Sequence, residues 1–304
     1  MKNEYYLSVV ACFINEADYM KEWIDFHLLM GVNHFYLYDT GIGTKYMPDN
    51  HHKYVKKYVK RNGFPMVAEK MPDGRYTLLL DNPLEILQPY IDQGLVTYHS
   101  REIFDQIDIY NHAFRTYGSS NVWMAFIDLD EFLHPADKNL DLKKILKTYE
   151  KYPSIAVHSL FFGSSGEENK SSTPLVERFT YRANDNCEIK GYNDLTKVIA
   201  QPSFIKKFKN AHSCKLIGGL KGVNTHREIV PPKALLRPIY HDVLRVNHYH
   251  IKSKEEFLTR HAFGRHSKTA DQNLDRFIAR DNICNQIKDS VILDVIKNKK
   301  NDKN

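Results

Sequence analysis

The feature that most constrains the fold is a six-residue run without a charged or strongly polar side chain, Val122-Trp123-Met124-Ala125-Phe126-Ile127, that leads straight into Asp128-Leu129-Asp130-Glu131. Such a run, apolar on both faces and of strand length, predicts a strand buried on both sides, as in the centre of a helix-covered sheet. Three acids at its exit repel one another and lose hydration, so they persist most comfortably beside a cation or strong hydrogen-bond donors. In extended chain Asp128 and Asp130 project to the same side, about 6.6 Å apart along the rise, with Leu129 turned the other way. Two carboxylates so placed can converge on one ion. Mg²⁺ and Mn²⁺ favour oxygen ligands and leave coordination positions for phosphate oxygens. Acid pairs at strand ends also cap helices or form salt bridges; the place of this one, after a buried strand in an alternating chain, favours the ion.

The chain ahead of that run alternates strand and helix. Residues 6–13 are β-branched and aromatic and end at Asn15-Glu16; Tyr19, Trp23, Phe26, His27 and Met30 then recur at helical spacing, and Gly31 stands where a helix stops. A second strand, 34–38, ends at Asp39-Thr40-Gly41. Ligands of open α/β sheets bind at the carboxyl ends of the strands, so Asn15, Glu16 and Asp39 share a side with Asp128 and frame a nucleotide-sized cleft. Taken singly, Asn15 and Glu16 serve as well to cap the helix and Asp39 to begin a turn.

Further on, Lys53, Lys56, Lys57, Lys60 and Arg61 around Tyr54, Val55, Tyr58 and Val59 predict a basic helix, either solvated or touching anionic lipid or acceptor. Helices are expected at 83–91, 106–117 and 140–149, and strands at 95–99, 155–160 and 243–250. Ser253 and Glu256 form an S-x-x-E capping signal for a late helix. The Lys/Asn-rich end is expected to fray.

With 42% hydrophobic and 26% charged residues, the 304-residue chain reads as a single globular domain. Its net charge of +6 suits a nucleotide, an acidic membrane surface or a nucleic acid. Aromatics do not interleave with Lys and Arg as stacking platforms, which argues against nucleic acid. The apolar stretch from Leu7 to Ile14 is too short for a membrane span or signal peptide, and the expected location is cytoplasmic, peripheral at most to the inner face of the membrane. Cys12, Cys187, Cys214 and Cys284 are scattered without zinc-ligand spacing and read as reduced thiols.

In order along the chain, CFINEADYMKEWIDFHLLMGVNHFYLYDT, LEILQPYIDQGLV, WMAFIDLDEFLHP, FFGSSG and NHYHIKSKEEF resemble successive segments of glycosyltransferase family 92, a relative of the family 2-like GT-A enzymes. The resemblance implies an α/β GT-A fold, Rossmann-like, with a mostly parallel central sheet flanked by helices. It implies a nucleotide-sugar donor, commonly UDP-linked, Mn²⁺ or Mg²⁺ as cofactor, and transfer with inversion at the anomeric carbon; the chain's size and short N-terminal apolar stretch add the expectation of a glycan or lipid-linked acceptor in polysaccharide or glycoconjugate biosynthesis. On that reading residues 1–135 form the donor-binding half, 136–285 the acceptor-binding half and 286–304 a basic tail. Asp128 and Asp130 match the metal and diphosphate site, Asn15, Glu16 and Asp39 match positions near the nucleoside, and His248 is a further metal ligand. The chain departs from the family in Thr40, which follows Tyr38-Asp39, in the long connection over 42–80, and in Glu167 after FGSSG.

An inverting transfer also requires a base for the acceptor hydroxyl. Glu131 and Glu167 are the candidates, with Glu177 and Glu188 further along, and the sequence does not choose among them. Gly163-Ser164-Ser165-Gly166 reads as a closing loop or a plain surface turn. His248 and His250 alternate and so share a face. Two other functions remain open: a metal-dependent phosphodiesterase, and a non-catalytic nucleotide- or glycan-binding module.

Overall fold

The computed structural model describes residues 4–13, 16–40, 68–70, 76–78, 82–100, 105–262 and 270–301. It opens with β1 (Tyr5–Phe13), α1 (Ala17–Leu29) and β2 (His34–Asp39), the unit expected from the periodicity. Gly31, at φ 94°, supplies the left-handed residue that ends α1. A short hairpin of β3 (Ala68–Lys70) and β4 (Tyr76–Leu78) precedes α2 (Leu84–Asp92), β5 (Val96–Ser100), α3 (Gln106–Tyr117) and β6 (Asn121–Phe126). The basic helix expected at 53–61 lies outside the described residues.

β6 is the buried strand that the apolar run predicts. It pairs in parallel with β1, β1 with β2, and β2 with β5, so four strands end at one rim. Trp123 and Ala125 join the core layer of Trp23, Phe35 and Leu37, whereas Met124 and Phe126 join Tyr110, Ile109 and Phe208 on the opposite face. Full burial of each large apolar side chain stabilises by roughly 1.5–3 kcal/mol, which is why Trp123 to Phe126 are apolar on both faces of the strand.

The remaining elements are β7 (Glu131–Pro135), α4 (Leu142–Lys147), β8 (Ser154–Phe161), α5 (Leu175–Arg178), β9 (Tyr181–Arg182), β10 (Thr196–Ala200), β11 (Ile205–Asn210), β12 (Ser213–Leu216), β13 (Gly222–Asn224), β14 (Ile229–Val230), β15 (Leu244–His248), α6 (Lys254–Ala262), α7 (Ala270–Cys284), β16 (Ile287–Lys288) and α8 (Val291–Asn301). β10 runs antiparallel to both β6 and β8, and β15 joins β8 in parallel and β7 antiparallel. The sheet order is β14-β13-β8-β10-β6-β1-β2-β5. The mixed α/β architecture with a mostly parallel centre is the one expected.

Two late features bear on the sequence reading. Ser253 and Glu256 form the expected capping box, with the Ser253 N–H donating to Glu256 Oε2 at 3.0 Å and the Glu256 N–H to Ser253 Oγ at 3.3 Å. The basic end does not fray as expected: β16 pairs with β9, and Ile292 and Val295 of α8 are buried. Between them Asp289 is buried, accepting from Arg182 at 2.6 Å and Arg245 at 2.5 Å. Burial pushes its carboxyl pKa up, but the two guanidinium groups prevail and hold it at about 2. Among the described residues no helix is long and apolar enough to cross a membrane.

Candidate active site

β6 stops at Phe126, and the chain reverses through Asp128-Leu129-Asp130 into β7. The Glu131 N–H donates to the Asp128 carbonyl at 3.1 Å, and the Asp128 N–H donates to Glu131 Oε2 at 2.9 Å. The extended geometry expected for the two aspartates is therefore replaced by a tight turn. A reversal this deeply buried must satisfy its own amides, and the Glu131 carboxylate does so. Asp128 and Asp130 consequently face different partners.

Asp128 keeps about a third of its side chain exposed, 31%, while Lys197 reaches its Oδ2 at 2.6 Å. Gln106 donates to Oδ1 at 2.7 Å and the Tyr110 hydroxyl at 3.4 Å. The Lys197 ammonium lies inside the protein and also contacts Glu131 Oε2 at 2.9 Å. Burial favours the neutral amine, but Asp128 and Glu131 override it and hold the Lys197 pKa above its usual range. Burial lifts the Glu131 carboxyl, against the pull of Lys197.

Asp130 is buried and faces the other way. His248 Nε2 lies 3.3 Å from its Oδ1, and the Arg260 guanidinium donates to Oδ2 at 3.0 Å. Burial pushes this carboxyl up; His248 and Arg260 more than offset it and hold the group well below its usual range. His250 completes the group, for ligand atoms of Asp130, His248 and His250 lie within 4.8 Å of one another. The His248 Nδ1 is buried without a hydrogen bond, 3.4 Å from Glu131 Oε1. The pKa of His248 is raised, burial opposing and Asp130 and Glu131 prevailing, whereas that of His250 is lowered by burial and by Arg260.

Glu16 and Lys252 form the adjacent wall. Glu16 sits at the start of α1 but makes no side-chain cap, so the helix-capping role is not the one it takes. Its carboxylate lies 3.9 Å from the Lys252 ammonium; burial raises its pKa against the pull of Lys252, and Asp130 adds to the rise. Lys252 is left-handed at φ 60° and places its amine 4.1 Å over the Tyr19 ring. A non-glycine residue in that region carries strain of order 1–3 kcal/mol, held here by burial and by the α6 cap that follows. Asp39 is buried at the end of β2, in register with Phe13 of β1, and accepts from the Tyr98 hydroxyl at 3.1 Å. Asn15 lies outside the described residues.

The two expected bases fare differently. Glu131 is fully buried, its carboxylate engaged by Lys197, Ser159 and the Asp128 amide. Glu167 is half-buried in the loop beyond β8, its backbone carbonyl accepting from the Lys254 N–H at 3.1 Å; its carboxylate forms no hydrogen bond or ion pair among the described residues. The Gly163–Gly166 stretch is pinned rather than free to close. Asp281 accepts from the Ser164 N–H at 2.6 Å and from its hydroxyl at 2.8 Å, and Asn285 accepts from the Ser165 N–H at 2.9 Å.

Lys197, His250, Lys252, Arg260 and Gln106 belong to the centre although the sequence reading did not assign them. Lys197 had a legible signal: a lysine inside Thr-Lys-Val-Ile-Ala, a buried strand, must find an acid. Arg260 had none, because its role depends on where α6 docks.

The pattern that defines glycosyltransferase family 92 matches residues 6–280. The chain belongs to that family. The glycosyltransferase family 92 protein Os08g0121900 of Oryza sativa subsp. japonica is 25% identical over 181 residues, 58% of this chain and 24% of the relative. Galactan beta-1,4-galactosyltransferase GALS3 of Arabidopsis thaliana is 32% identical over 84 residues, 25% of this chain and 16% of the relative. The alignments thus span no more than about a quarter of either curated relative. Among solved structures, S. aureus TarS 1-349 superposes with a TM-score of 0.39 at 10% identity, over 97% of this chain and 71% of that one. The same protein in complex with UDP gives 0.40 at 11% identity, over 90% and 71%. The mostly parallel, helix-flanked sheet of this family 92 chain is the mixed α/β architecture that the alternating sequence predicted.

Proposed function

We propose that the chain is a metal-dependent glycosyltransferase that moves a sugar from a nucleotide-sugar, in this reading UDP-linked, to a glycan or lipid-linked acceptor. The observation that carries it is the convergence of Asp130, His248 and His250 at the rim of a family 92 sheet, flanked by the cations of Arg260 and Lys252. One carboxylate and two imidazoles suit a divalent ion such as Mn²⁺ or Mg²⁺, and the unsatisfied buried Nδ1 of His248 fits a histidine whose ring is held for another partner. When bound, the ion supplies neutralisation of the diphosphate leaving group. Asp130, His248 and His250 would hold it, a set that replaces the Asp128-Asp130-His248 set expected from sequence, because Lys197 already occupies Asp128.

The chain's own groups do the rest. Arg260 and Lys252 attract the anionic diphosphate, and Arg260 keeps 45% of its side chain exposed toward solvent and so reaches a ligand without backbone movement. Asp128, steadied by Lys197 and Gln106, offers its exposed edge to the donor. Glu16 and Asp39 line the wall assigned to the nucleoside. Inversion requires direct attack by the acceptor, and Glu167, the candidate base with an unengaged carboxylate, accepts the hydroxyl proton.

Incubation with a panel of UDP-sugars and Mn²⁺ tests the reading: UDP release that rises with added acceptor supports it. Cleavage of a phosphodiester without sugar transfer returns the phosphodiesterase, and donor binding without turnover returns the binding module. Glu167→Gln is expected to lower kcat by about 10²–10⁴-fold with donor KM unchanged. Wild-type kcat in that variant removes Glu167 as the base.

A further inference from the structure

A separate charged surface lies on the β11–β12 hairpin. Residues 205–221 carry five lysines, Lys206, Lys207, Lys209, Lys215 and Lys221, and no aspartate or glutamate. One face of the ribbon is packed: Phe208 and Cys214 stand opposite each other in register and are buried against Tyr110, Phe114 and Phe126. The other face is the lysine face. Lys207 stands directly opposite Lys215 across the ribbon, all of Lys206, Lys207, Lys209 and Lys215 are exposed, and none of the five is ion-paired among the described residues.

Like charges directly opposite one another in an antiparallel pair are destabilising, so the arrangement costs stability in the isolated protein. Lys215 registers that cost, its ammonium pushed below its ordinary pKa first by Lys209 and then by burial and its other lysine neighbours. Beyond β12 the chain passes through Gly218 and Gly219, both left-handed at φ 58° and 73°, and this turn leaves Ile217 43% and Leu220 47% exposed. Two aliphatic side chains beside an unpaired lysine face match a surface that is anionic outside and apolar beneath. A soluble polyanion would satisfy the lysines and leave Ile217 and Leu220 without a role.

We propose that the β11–β12 hairpin is a docking surface for an anionic lipid bilayer, with Lys207, Lys209 and Lys215 facing the headgroups and Ile217 and Leu220 entering the interface. The hairpin also reaches the catalytic centre. His212, at its turn, lies 3.0 Å through Nδ1 from the carbonyl of Thr196, the neighbour of Lys197. Docking there holds the cleft beside a membrane surface, where a lipid-linked acceptor is found.

The test needs no donor, so it stands or falls apart from sugar transfer. The full chain is sedimented with vesicles of phosphatidylcholine alone and of phosphatidylcholine mixed with phosphatidylglycerol. Binding is expected only to the mixed vesicles and should fall as salt rises. The triple variant Lys207→Gln, Lys209→Gln, Lys215→Gln should bind on the order of a hundredfold more weakly, at about one kcal/mol per lysine. Ile217→Ser with Leu220→Ser should weaken binding several-fold at unchanged charge. All these positions are exposed, so neither variant is expected to melt below the wild type, and the triple variant, relieved of the lysine repulsion, should melt at the wild-type temperature or slightly above it. Equal sedimentation with both vesicle types, unchanged binding in either variant, or binding to double-stranded DNA in preference to the mixed vesicles overturns the proposal.

Discussion

Asp130→Ala is expected to lower transfer by about a thousandfold or more, and to abolish the rise in melting temperature that Mn²⁺ plus donor gives the wild type. Asp130 is the one carboxylate in the Asp130-His248-His250 group, and it also pairs with Arg260, so its loss removes the only anionic ligand from among the cations. Neutralisation of a departing diphosphate is worth roughly several kcal/mol, and about 1.4 kcal/mol corresponds to each tenfold in rate. The fold should survive, because Arg260 is half exposed and can be hydrated once unpaired. Asp128→Ala is the contrasting variant. It too should impair transfer, but it also strips a partner from the buried Lys197, so melting temperature and rate fall together. Near-wild-type transfer by Asp130→Ala, with metal dependence kept, sinks the proposed centre; a melting temperature lowered as far as that of Asp128→Ala would show that Asp130 is structural.

Much of this centre was readable in advance because its parts are local. The buried strand, the acids at its exit and the strand-helix-strand opening each follow from a few consecutive residues, and the periodicity of an apolar face survives any tertiary arrangement. Helix α3 and the Ser253/Glu256 cap are legible for the same reason. What stayed hidden depends on contacts distant in sequence. Asp128 and Asp130 diverge because Glu131 folds back onto the Asp128 amide and because Lys197, on a strand far along the chain, claims one of the two acids. The strands between 181 and 230 are short, and β9, β10 and β13 find partners far away in sequence, so no window of residues announces their place in the sheet. The C-terminal end reads as solvated by composition, yet Asp289 is buried because Arg182 and Arg245 arrive from two other strands.

The Lys197 bridge leads to the second large effect. Lys197→Met preserves the length and apolar stem of the side chain and removes only the ammonium, which leaves Glu131 buried and Asp128 with Gln106 and Tyr110 as its remaining side-chain donors. Breaking one partner of a buried ion pair is expected to cost about 3–5 kcal/mol, more than the loss of methylene packing at any single exposed site. The cost should depend on pH with a definite sign. Burial already lifts the Glu131 carboxyl, and without Lys197 its folded pKa rises further above the unfolded value. The folded state then binds more protons than the unfolded one, so stability falls as pH rises through that interval and is restored as pH drops. Lys197 itself is charged in both states over the same range and adds no slope. Denaturant unfolding of the two proteins at pH 5 and pH 8 should therefore show a gap that is wider at pH 8. The double variant Lys197→Met, Glu131→Gln should recover part of the stability and lose the pH dependence, while transfer stays impaired because Asp128 is no longer held. A gap independent of pH, or one unchanged by the second substitution, would mean that Glu131 is not the group left uncompensated and that the turn is secured by something other than this bridge.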